Sequence, residues 1–458
     1  MSAPRHAHSK IHNDSRRTFL KTTAVAGAAT VVPSLIANRA YAAGEEEPIK
    51  VALIGCGGRG TGAAAQALST EGPIKLWAMA DAFYDRLEGS LKSLTAGLKA
   101  RYDRASSQPL VDRINVPKER QFVGLDAYQK AIASGVDVVI ITGPPGFRPL
   151  HFEAAVNAGK HVFMEKPLAS DGTGVRRILE SAQKAKEKNL KVGVGLQRHY
   201  QPSYLTAMKR IHDGEFGDIL NMRCYWNTGF PAKTPFPREK SISELQHQIR
   251  NWYFFDWLSG DHICEQHIHN LDVCNWAKGD YPVEAEGMGG RQVRTGKEYG
   301  NIFDHHAVIY TYADGTKMHS YCRQIPACSK MVAEFIEMTN GVAELSNRGC
   351  KLTNRKEELW KSPREKESPY QLEHDALFAA IRNDTPHNEA ENGAKSTMTA
   401  ILGRMATYSG VAIKWDDAIN KSPQLTTDTV DWQTPAPVQP EDDGSYQIAV
   451  PGLTKVLP

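Results

Sequence analysis

The order of apolar and polar residues divides the chain into two parts, of which the first covers residues 48–198. Here short runs of continuous apolar residues alternate with stretches whose apolar positions recur every three to four residues. Continuous apolar strands joined by helices are typical of a parallel sheet that is covered on both faces. We therefore predict a doubly wound α/β domain of the Rossmann type. Its predicted strands are residues 49–54, 75–80, 136–142, 161–165 and 191–196, and its predicted helices include 149–157 and 175–188.

The second part, residues 199–421, has a different period. Polar and apolar residues alternate one by one, which is typical of an antiparallel sheet with one covered face. Asp314-Gly315 and Asn340-Gly341 lie between such runs and predict hairpin turns. We therefore predict an α+β substrate-binding domain with an open-faced, mainly antiparallel sheet, followed by a tail of residues 422–458 that wraps over the surface. The predicted strands are 219–226, 284–293, 305–312, 317–323 and 331–338, and the predicted helices are 261–276, 371–381 and 394–409.

Residues 1–42 have the features of an export signal. Arg16 and Arg17 precede a weakly apolar stretch of residues 22–36, and Ala40-Tyr41-Ala42 is a small-x-small cleavage site. The stretch is too short and too weakly apolar to span a membrane. Paired arginines before such a stretch favour twin-arginine export over a general secretion signal or a plain basic N-terminus. We predict a periplasmic or extracellular mature protein.

Charge and cysteine content exclude several classes of partner. The formal charge is only +3, and the leader alone, with six basic residues and one acidic residue, accounts for more than this excess. Without the leader the chain is nearly neutral, which predicts no nucleic-acid partner and no membrane association after cleavage. The seven cysteines show no metal-ligand spacing. We therefore predict no metal site, and the disulfide pattern stays open.

A glycine-rich turn, Gly55-Cys56-Gly57-Gly58-Arg59-Gly60, directly follows the first predicted strand. In a dinucleotide-binding βαβ unit the glycine at Gly55 allows the tight turn. The one at Gly57 lets a pyrophosphate approach the backbone, and the one at Gly60 lets the next helix pack on the strand. The amides at the start of that helix then hold the pyrophosphate. The turn predicts a nicotinamide dinucleotide cofactor.

Asp81, at the end of the second predicted strand, indicates which dinucleotide is bound. A carboxylate there accepts hydrogen bonds from the ribose hydroxyls and repels a 2′-phosphate, which favours NAD. Arg59 and Arg86 are near in sequence and leave NADP open. Pro144 follows another strand on its carboxyl side and is expected to pass close to the cofactor. Because such cofactors are scarce outside the cytoplasm, we predict that NAD is bound tightly before export.

Two further motifs resemble the Gfo/Idh/MocA superfamily, which includes glucose–fructose oxidoreductase and inositol dehydrogenase. They are Glu165-Lys166-Pro167, at the end of a predicted strand, and the segment 260–272. The resemblance implies that Lys166 lies beside the nicotinamide and the substrate hydroxyl. It also implies a catalytic helix with an acid, a histidine and an aspartate, which here are Glu265, His269 and Asp272. The full set of expected cofactor contacts is Gly55, Gly57, Gly58, Arg59, Gly60, Asp81, Pro144, Glu165 and Lys166.

The chemistry of these residue types suits hydride transfer from a secondary alcohol. A histidine such as His269 can remove the hydroxyl proton near neutral pH. The ammonium of Lys166 can stabilise the developing alkoxide. The spacing of Glu265, His269 and Asp272 predicts one helical face for the three, with Asp272 orienting the imidazole.

The segment also departs from the superfamily pattern. Glu265 stands where aspartate is usual, and His267 stands where glycine is usual. Arg198 and His199, which close the first domain, are further candidates for contact with substrate, as is His267. A metal bound by Glu265 and His269 with a neighbouring histidine is the disfavoured alternative.

Three functions remain open from the sequence. The first is an NAD(P)-dependent dehydrogenase of a sugar, cyclitol or sugar derivative. The second is a redox-neutral glycosidase or lyase that oxidises, eliminates and reduces with retained NAD, and the third is a non-catalytic sugar-binding protein. Open-faced sheets often pair between subunits, so we also expect a homodimer or homotetramer.

Overall fold

The computed structural model describes residues 47–103, 107–231, 233–239, 241–427 and 431–458. The predicted export signal of residues 1–42 lies outside them. In the described chain, one sheet of parallel strands is followed by a second, mainly antiparallel sheet. The two-part organisation predicted from the apolar pattern is therefore present.

The first sheet has the strand order β3-β2-β1-β4-β5-β6, and every strand pair in it is parallel. The order reverses between β1 and β4, which opens a crevice at the carboxyl ends of these strands. Strand β3 was missed by the sequence analysis because it has only three residues and none of them is buried. The strands are β1 Ile49–Ile54, β2 Ile74–Asp81, β3 Gln121–Val123, β4 Val138–Ile141, β5 His161–Met164 and β6 Val192–Val194. The helices of this part are α1 Gly58–Ala67, α2 Tyr84–Leu98, α3 Ala127–Ala133, α4 Arg148–Asn157, α5 Gly172–Glu187 and α6 Pro202–His212.

The second sheet has the order β14-β13-β12-β11-β7-β10-β9-β8-β15. Its pairs are antiparallel except for β7 with β10. Both predicted hairpins are present, because Asp314-Gly315 joins β9 to β10 and Asn340-Gly341 joins β11 to β12. Burial alternates along β10, so one face of the sheet is covered and the other is open. The strands are β7 Ile219–Thr228, β8 Glu284–Gly290, β9 His305–Thr311, β10 Lys317–Gln324, β11 Met331–Met338, β12 Gly341–Leu345, β13 Lys351–Thr353, β14 Glu358–Lys361 and β15 Ile413–Lys414.

The predicted helix 261–276 is two helices. Helix α9 ends at Glu265 and α10 begins at Ile268, with Gln266 and His267 between them. The side chain of His267 is buried, and its Nε2 lies 2.7 Å from Ser320 Oγ on β10. This contact anchors the break against the second sheet. The remaining helices are α7 Glu244–Arg250, α8 Asp256–Ser259, α9 His262–Glu265, α10 Ile268–Lys278, α11 Pro369–Arg382, α12 Ala390–Ser409 and α13 Trp415–Lys421.

Late segments of the chain return to the first sheet. Helix α11 packs against α1, and Leu377, Phe378 and Ile381 belong to the apolar core that surrounds β1. Helix α12 contacts α5 on one side and β8 on the other, so it is buried along most of its length. Both helices were placed by sequence in residues 199–421, yet α11 packs against the first part and α12 packs against both parts.

The tail beyond α13 lies partly inside the molecule. Ala436 and Tyr446 are buried in an apolar cluster with Phe255 and Trp257. Residues 422–458 are rich in Pro, Asp and Gln, a composition that predicts a tail on the surface. Among the described helices, we find none with the length and apolarity that a bilayer crossing requires.

Candidate active site

The glycine turn opens onto a cavity of about 520 Å³ at the carboxyl ends of β1 and β4. Gly55 has φ +92°, and a Cβ atom there would lie 2.5 Å from the amide nitrogen of Gly143. A Cβ on Gly60 would lie 2.1 Å from the carbonyl oxygen of Gly55. A Cβ on Gly57 or Gly58 would instead point into open space. The turn is closed by two glycines, and the other two leave room for a ligand at the start of α1.

Asp81 lies on the wall of the same cavity, at the end of β2. Its carboxylate accepts hydrogen bonds from the backbone amides of Cys56, at 2.6 Å, and Phe83, at 2.9 Å. Burial raises the pKa of Asp81 above its ordinary value, while these bonds and the charge of Arg86 oppose the rise. The amides hold the carboxylate between the turn and the start of α2. The cradle and the acid together fit the pyrophosphate and the ribose of a dinucleotide.

Arg59 is paired with a buried carboxylate. Its guanidinium pairs with Glu165 at 2.5 Å, donates to Gln66 and lies over the ring of Tyr370. Arg59 also lines the cavity that contains Asp81, and its effect on a 2′-phosphate stays a prediction. Arg86 still lines the cavity near Asp81.

Pro144 lines this cavity as predicted, together with aromatic residues that the sequence analysis did not select. The ring of His151 stacks on Tyr128 at 4.2 Å between centroids. Burial lowers the pKa of His151 to about 3, and the charge of Arg148 contributes to the fall. The wall beside Pro144 is therefore an uncharged aromatic surface.

A second cavity, of about 550 Å³, adjoins the first. The two share Arg59, Thr142 and Gly143 just after β4, and Lys233, Trp252 and Tyr253 from the second half of the chain. Lys166, Glu265 and His269 all line this second cavity. The motif at the end of β5 and the motif on α9 and α10 are far apart in sequence, and the fold brings them together as predicted.

Lys166 and Glu265 form a direct pair in this cavity. Lys166 Nζ lies 2.7 Å from the carbonyl oxygen of Glu265 and 3.3 Å from its Oε1. Both side chains are almost buried. Burial raises the pKa of Glu265, and the ammonium opposes that rise. Within the described residues, Oε2 of Glu265 has no hydrogen-bond partner.

His269 faces the same cavity from α10. Its ring stacks on Trp226 with 6.0 Å between the centroids, and Nδ1 has no hydrogen-bond partner among the described residues. Burial lowers the pKa of His269 well below its ordinary value, and the charge of Lys166 lowers it further. Burial and the neighbouring charges therefore favour the neutral form of the imidazole.

Asp272 does not orient His269, contrary to the prediction. It accepts hydrogen bonds from His199 Nε2 at 2.8 Å, from Ser396 Oγ at 2.7 Å and from Asn392. Burial alone would raise the pKa of Asp272, but the pair with His199 lowers it overall. The break between α9 and α10 changes the face on which each residue lies. Asp272 therefore points toward α12, and Glu265 and His269 point into the cavity.

The three candidate substrate residues have different positions. Arg198 lines the second cavity and is paired with the buried carboxylate of Glu334. His199 stacks on Trp276 and is paired with Asp272, so it lies outside the cavity wall. His267 is fully buried against Ser320 and cannot reach a substrate. Only Arg198 remains a candidate for substrate contact.

Sequence reasoning missed several residues of the catalytic cavity. Arg148 is fully buried and donates to the carbonyl oxygens of Pro167 and Gly143, so it holds the loop that carries Lys166. Burial lowers the pKa of Arg148 to about 10. The first two rings of the aromatic run at 252–257 also line the cavity. Further wall residues that the motifs do not indicate include Trp226, Gln266, Asn347, Glu365 and Tyr370.

A separate buried cluster lies at the start of α9. Asp261, His262 and His306 offer possible ligand atoms within 4.8 Å of one another. Asp261 accepts from the amide of Phe303 at 2.9 Å and from Tyr408 at 2.7 Å, and lies 2.8 Å from His262 Nδ1. These are hydrogen-bond contacts, and the cluster fixes the entry to α9.

Comparison with known proteins agrees with this arrangement. A model described as an oxidoreductase family with an NAD-binding Rossmann fold matches residues 49–196. A model of the GFO/IDH/MocA C-terminal domain matches residues 204–339. The chain belongs to the GFO/IDH/MocA family. A model of the twin-arginine translocation signal sequence matches residues 15–33, which supports the predicted export route.

Curated relatives of this family member match over part of their length. Inositol 2-dehydrogenase of Klebsiella pneumoniae (strain 342) is 32% identical over 182 residues, which is 37% of this chain and 46% of the relative. Inositol 2-dehydrogenase/D-chiro-inositol 3-dehydrogenase of Halalkalibacterium halodurans is 38% identical over 144 residues, which is 31% of this chain and 34% of the relative. The chain thus spans about half or less of these relatives.

Solved structures share the fold. Aldose-aldose oxidoreductase from Caulobacter crescentus, complexed with glycerol, has a TM-score of 0.62 at 16% identity and covers 80% of this chain and 100% of its own. Levoglucosan dehydrogenase, in complex with NADH and levoglucosan, has the same TM-score and identity and covers 80% of this chain and 99% of its own. Scyllo-inositol dehydrogenase from Lactobacillus casei, with bound NAD(H) and scyllo-inositol, has a TM-score of 0.58 at 20% identity and covers 81% of this chain and all of its own.

Proposed function

We propose that this family member is an exported NAD-dependent oxidoreductase that acts on a secondary hydroxyl of a sugar, cyclitol or sugar derivative. One observation carries the proposal. The cavity that holds Lys166, Glu265 and His269 adjoins the glycine-lined cleft, and the two share Thr142 and Gly143. A dinucleotide that enters along α1 can therefore extend to the acid–base groups.

The roles of the residues follow from their charges. Bound NAD would accept the hydride that leaves the substrate carbon. His269, which is neutral because it is buried, accepts the hydroxyl proton at its imidazole. Lys166 donates to the same oxygen and stabilises its negative charge as the proton leaves. Arg148 keeps Lys166 in place through the carbonyl of Pro167.

The cavity walls favour a hydroxylated ring as the substrate. Trp226 and Trp252 present partly exposed aromatic surfaces, which suit the apolar face of a sugar or cyclitol. Polar groups such as Arg198 and Asn347 lie on the same walls and can donate to ring hydroxyls. The related inositol dehydrogenases and the levoglucosan dehydrogenase act on substrates of this kind, as their names state.

A redox-neutral glycosidase or lyase is the second candidate, and Glu265 favours it. Its Oε2 is buried, has no hydrogen-bond partner among the described residues, and lies in the cavity of His269. Oxidation at one carbon acidifies the neighbouring C–H bond, and removal of that proton needs a second base beside His269. Glu265→Gln would abolish elimination but leave a simple oxidation measurable. Removal of the acid–base pair without loss of biological activity would favour a non-catalytic sugar-binding protein.

Export adds expectations about location, cofactor and assembly. We expect the mature protein in the periplasm or outside the cell, with NAD rather than NADP bound tightly enough to survive export.

The open face of the second sheet carries three aromatic rings. The ring centroid of Tyr225 lies 5.4 Å from that of Tyr321 and 5.9 Å from that of Phe335. Tyr321 is exposed and the other two rings are half-buried, and a partly exposed aromatic patch suits a subunit interface. We expect a homodimer or homotetramer, which light scattering with size-exclusion chromatography measures.

Absorbance of the purified mature protein tests the function. The NADH band is recorded before and after addition of sugars, cyclitols and glycosides, without free NAD. A band that rises and persists supports a dehydrogenase that awaits a second acceptor. Product that forms over many turnovers with no lasting band supports the redox-neutral reaction. A protein that binds neither NAD nor NADP and is inactive with both would overturn the proposal.

A further inference from the structure

The outer end of the cofactor cleft is covered by segments from the second half of the chain. The turn and Asp81 form one wall of this cleft. Residues 233–237, the end of α7 and Asp431 of the tail line the same cleft. The superfamily motifs and the glycine fingerprint concern only the turn and Asp81, and they give these later segments no role.

Phe83 locates these later segments relative to the dinucleotide. Its amide donates to Asp81 Oδ1, the carboxylate that recognises ribose in the proposed function. The ring of Phe83 therefore lies at the adenosine end of the cleft, away from Lys166 and His269. Trp432 of the tail packs against this ring with 5.7 Å between centroids.

Arg250, at the end of α7, joins the separate segments. Its guanidinium carbon lies 4.0 Å from the centroid of Phe83 and 5.1 Å from that of Phe236. It also forms two hydrogen bonds with the carboxylate of Asp85 on α2, at 3.0 and 3.1 Å. A guanidinium held between two aromatic faces is stabilised by cation–π attraction and is fixed in orientation.

The loop that carries Phe236 is fastened to the same helix end. Asn251 Oδ1 accepts from the amide of Phe236 at 2.5 Å, and Asn251 Nδ2 donates to its carbonyl oxygen at 3.1 Å. Asn251 is buried. The loop cannot move from the cleft without breaking these bonds. We call Phe83, Phe236, Arg250, Asp431 and Trp432 the adenosine clamp.

We propose that the adenosine clamp binds the adenosine half of NAD and makes its release slow. This inference rests on the proposed function, because it requires a dinucleotide in the cleft. Adenine presents flat faces that stack on aromatic rings, and Arg250 fixes the rings of Phe83 and Phe236 relative to each other. Release of NAD then requires the loop at 233–237 or the tail at Trp432 to separate from Phe83. A protein exported with its cofactor gains a retention device from residues that take no part in the hydride chemistry.

The release rate of NADH from the loaded full-length mature protein tests the clamp. The protein is loaded with NADH, mixed with a large excess of NAD, and the loss of bound NADH fluorescence is followed in time. We expect Phe236→Ala and Trp432→Ala each to raise the release rate about tenfold, which corresponds to about 1.4 kcal/mol. Arg250→Lys keeps a charge beside Asp85 but removes the planar group, and we expect a smaller acceleration.

Trp360→Ala is the matched control. Trp360 lies on β14 and lines neither cavity, so its removal deletes the same side chain without touching the clamp. We expect its release rate to equal that of the wild type. Circular dichroism checks the fold of every variant. If Phe236→Ala or Trp432→Ala unfolds the protein, the release rate of Arg250→Lys is the one compared with wild type.

The outcomes separate the clamp from the proposed function. Faster release in the clamp variants with an unchanged Trp360→Ala supports the clamp. Release at the wild-type rate in all clamp variants overturns it, and so does equal acceleration in the control. In those cases NADH still binds and the proposed function stands. A wild-type protein that binds no dinucleotide overturns both.

Discussion

The cofactor cleft and the catalytic cavity meet at Thr142 and Gly143, yet they are built in different ways. The inner wall of the cleft consists of backbone groups and one carboxylate within a single βαβ unit. The second cavity takes its candidate acid–base groups from the segment just after β5 and, about a hundred residues later in sequence, from α9 and α10. A backbone site is encoded by glycines at fixed positions. A side-chain site depends on how distant helices are oriented, and the break after Glu265 shows how one irregular turn reassigns those side chains.

The substitution Lys166→Met should separate the two regions most clearly, because it should lower activity without preventing cofactor binding. In the proposed function the ammonium of Lys166 stabilises the alkoxide, and loss of such catalysis typically costs 10²–10⁴-fold in rate. We expect kcat/KM to fall by about that factor, while NADH still binds the glycine cleft in a fluorescence titration. A fall of less than about tenfold would show that the chemistry does not use Lys166.

Asp272→Asn tests the reassignment of Asp272 from a catalytic to a structural role. Removal of one partner from a buried ion pair costs about 3–5 kcal/mol. We expect a large loss in the free energy of unfolding, measured by urea denaturation, with a kcat that changes much less than in His269→Ala. Equal losses of kcat in the two variants would return Asp272 to the catalytic machinery.

The pH dependence of this pair has a definite sign. The pKa of Asp272 is lowered in the folded protein. Its contribution to the free energy of unfolding is therefore present above the ordinary pKa of 3.8 and is lost as the pH falls through the lower, folded-state pKa. The pKa of His199 is raised, because Asp272 outweighs the effect of burial. The contribution of His199 to the free energy of unfolding is present below its ordinary pKa of 6.5 and is lost as the pH rises through its higher, folded-state pKa. The stability difference between wild type and Asp272→Asn should be largest between these two values.

Gly60→Ala tests the backbone region. The new Cβ would lie 2.1 Å from the carbonyl oxygen of Gly55, so α1 must move away from β1. We expect a loss of about 1–3 kcal/mol, as for other overpacked sites, and weaker NADH binding. Gly58→Ala is the matched change, because its Cβ meets no atom within 4 Å. Thermal unfolding should show a loss of stability for Gly60→Ala alone.

The smallest expected effect is a shift in the acid limb of the pH–rate profile. Burial and the charge of Lys166 lower the pKa of His269, so the base form persists below pH 6.5. We expect kcat/KM for wild type to stay constant from neutral pH to below 6.5 before it falls. A limb centred above 6.5 would mean that His269 does not act as the neutral base.

Some strand bounds could be predicted correctly from the apolar pattern alone. The predicted strand 49–54 coincides with β1, and 331–338 with β11, because their burial follows directly from the pattern. The pattern failed at β3, which has no buried residue, and at the helix 261–276. In the segment 261–276 the apolar spacing continues through Gln266 and His267, so the pattern gives no sign of the break between α9 and α10. The contact of His267 with β10 explains that break.

The sequence by itself determined the two-part architecture, the glycine cradle, Asp81 and the identity of Lys166 and His269 as candidates. These depend on local periodicity and on residue types that a motif requires. The tertiary structure alone decided that Arg59 pairs with Glu165, that Asp272 pairs with His199 and that α7 and the tail close the outer end of the cleft. The physical reason is that a buried charge takes the partner that packing places nearest, and sequence spacing does not encode that distance.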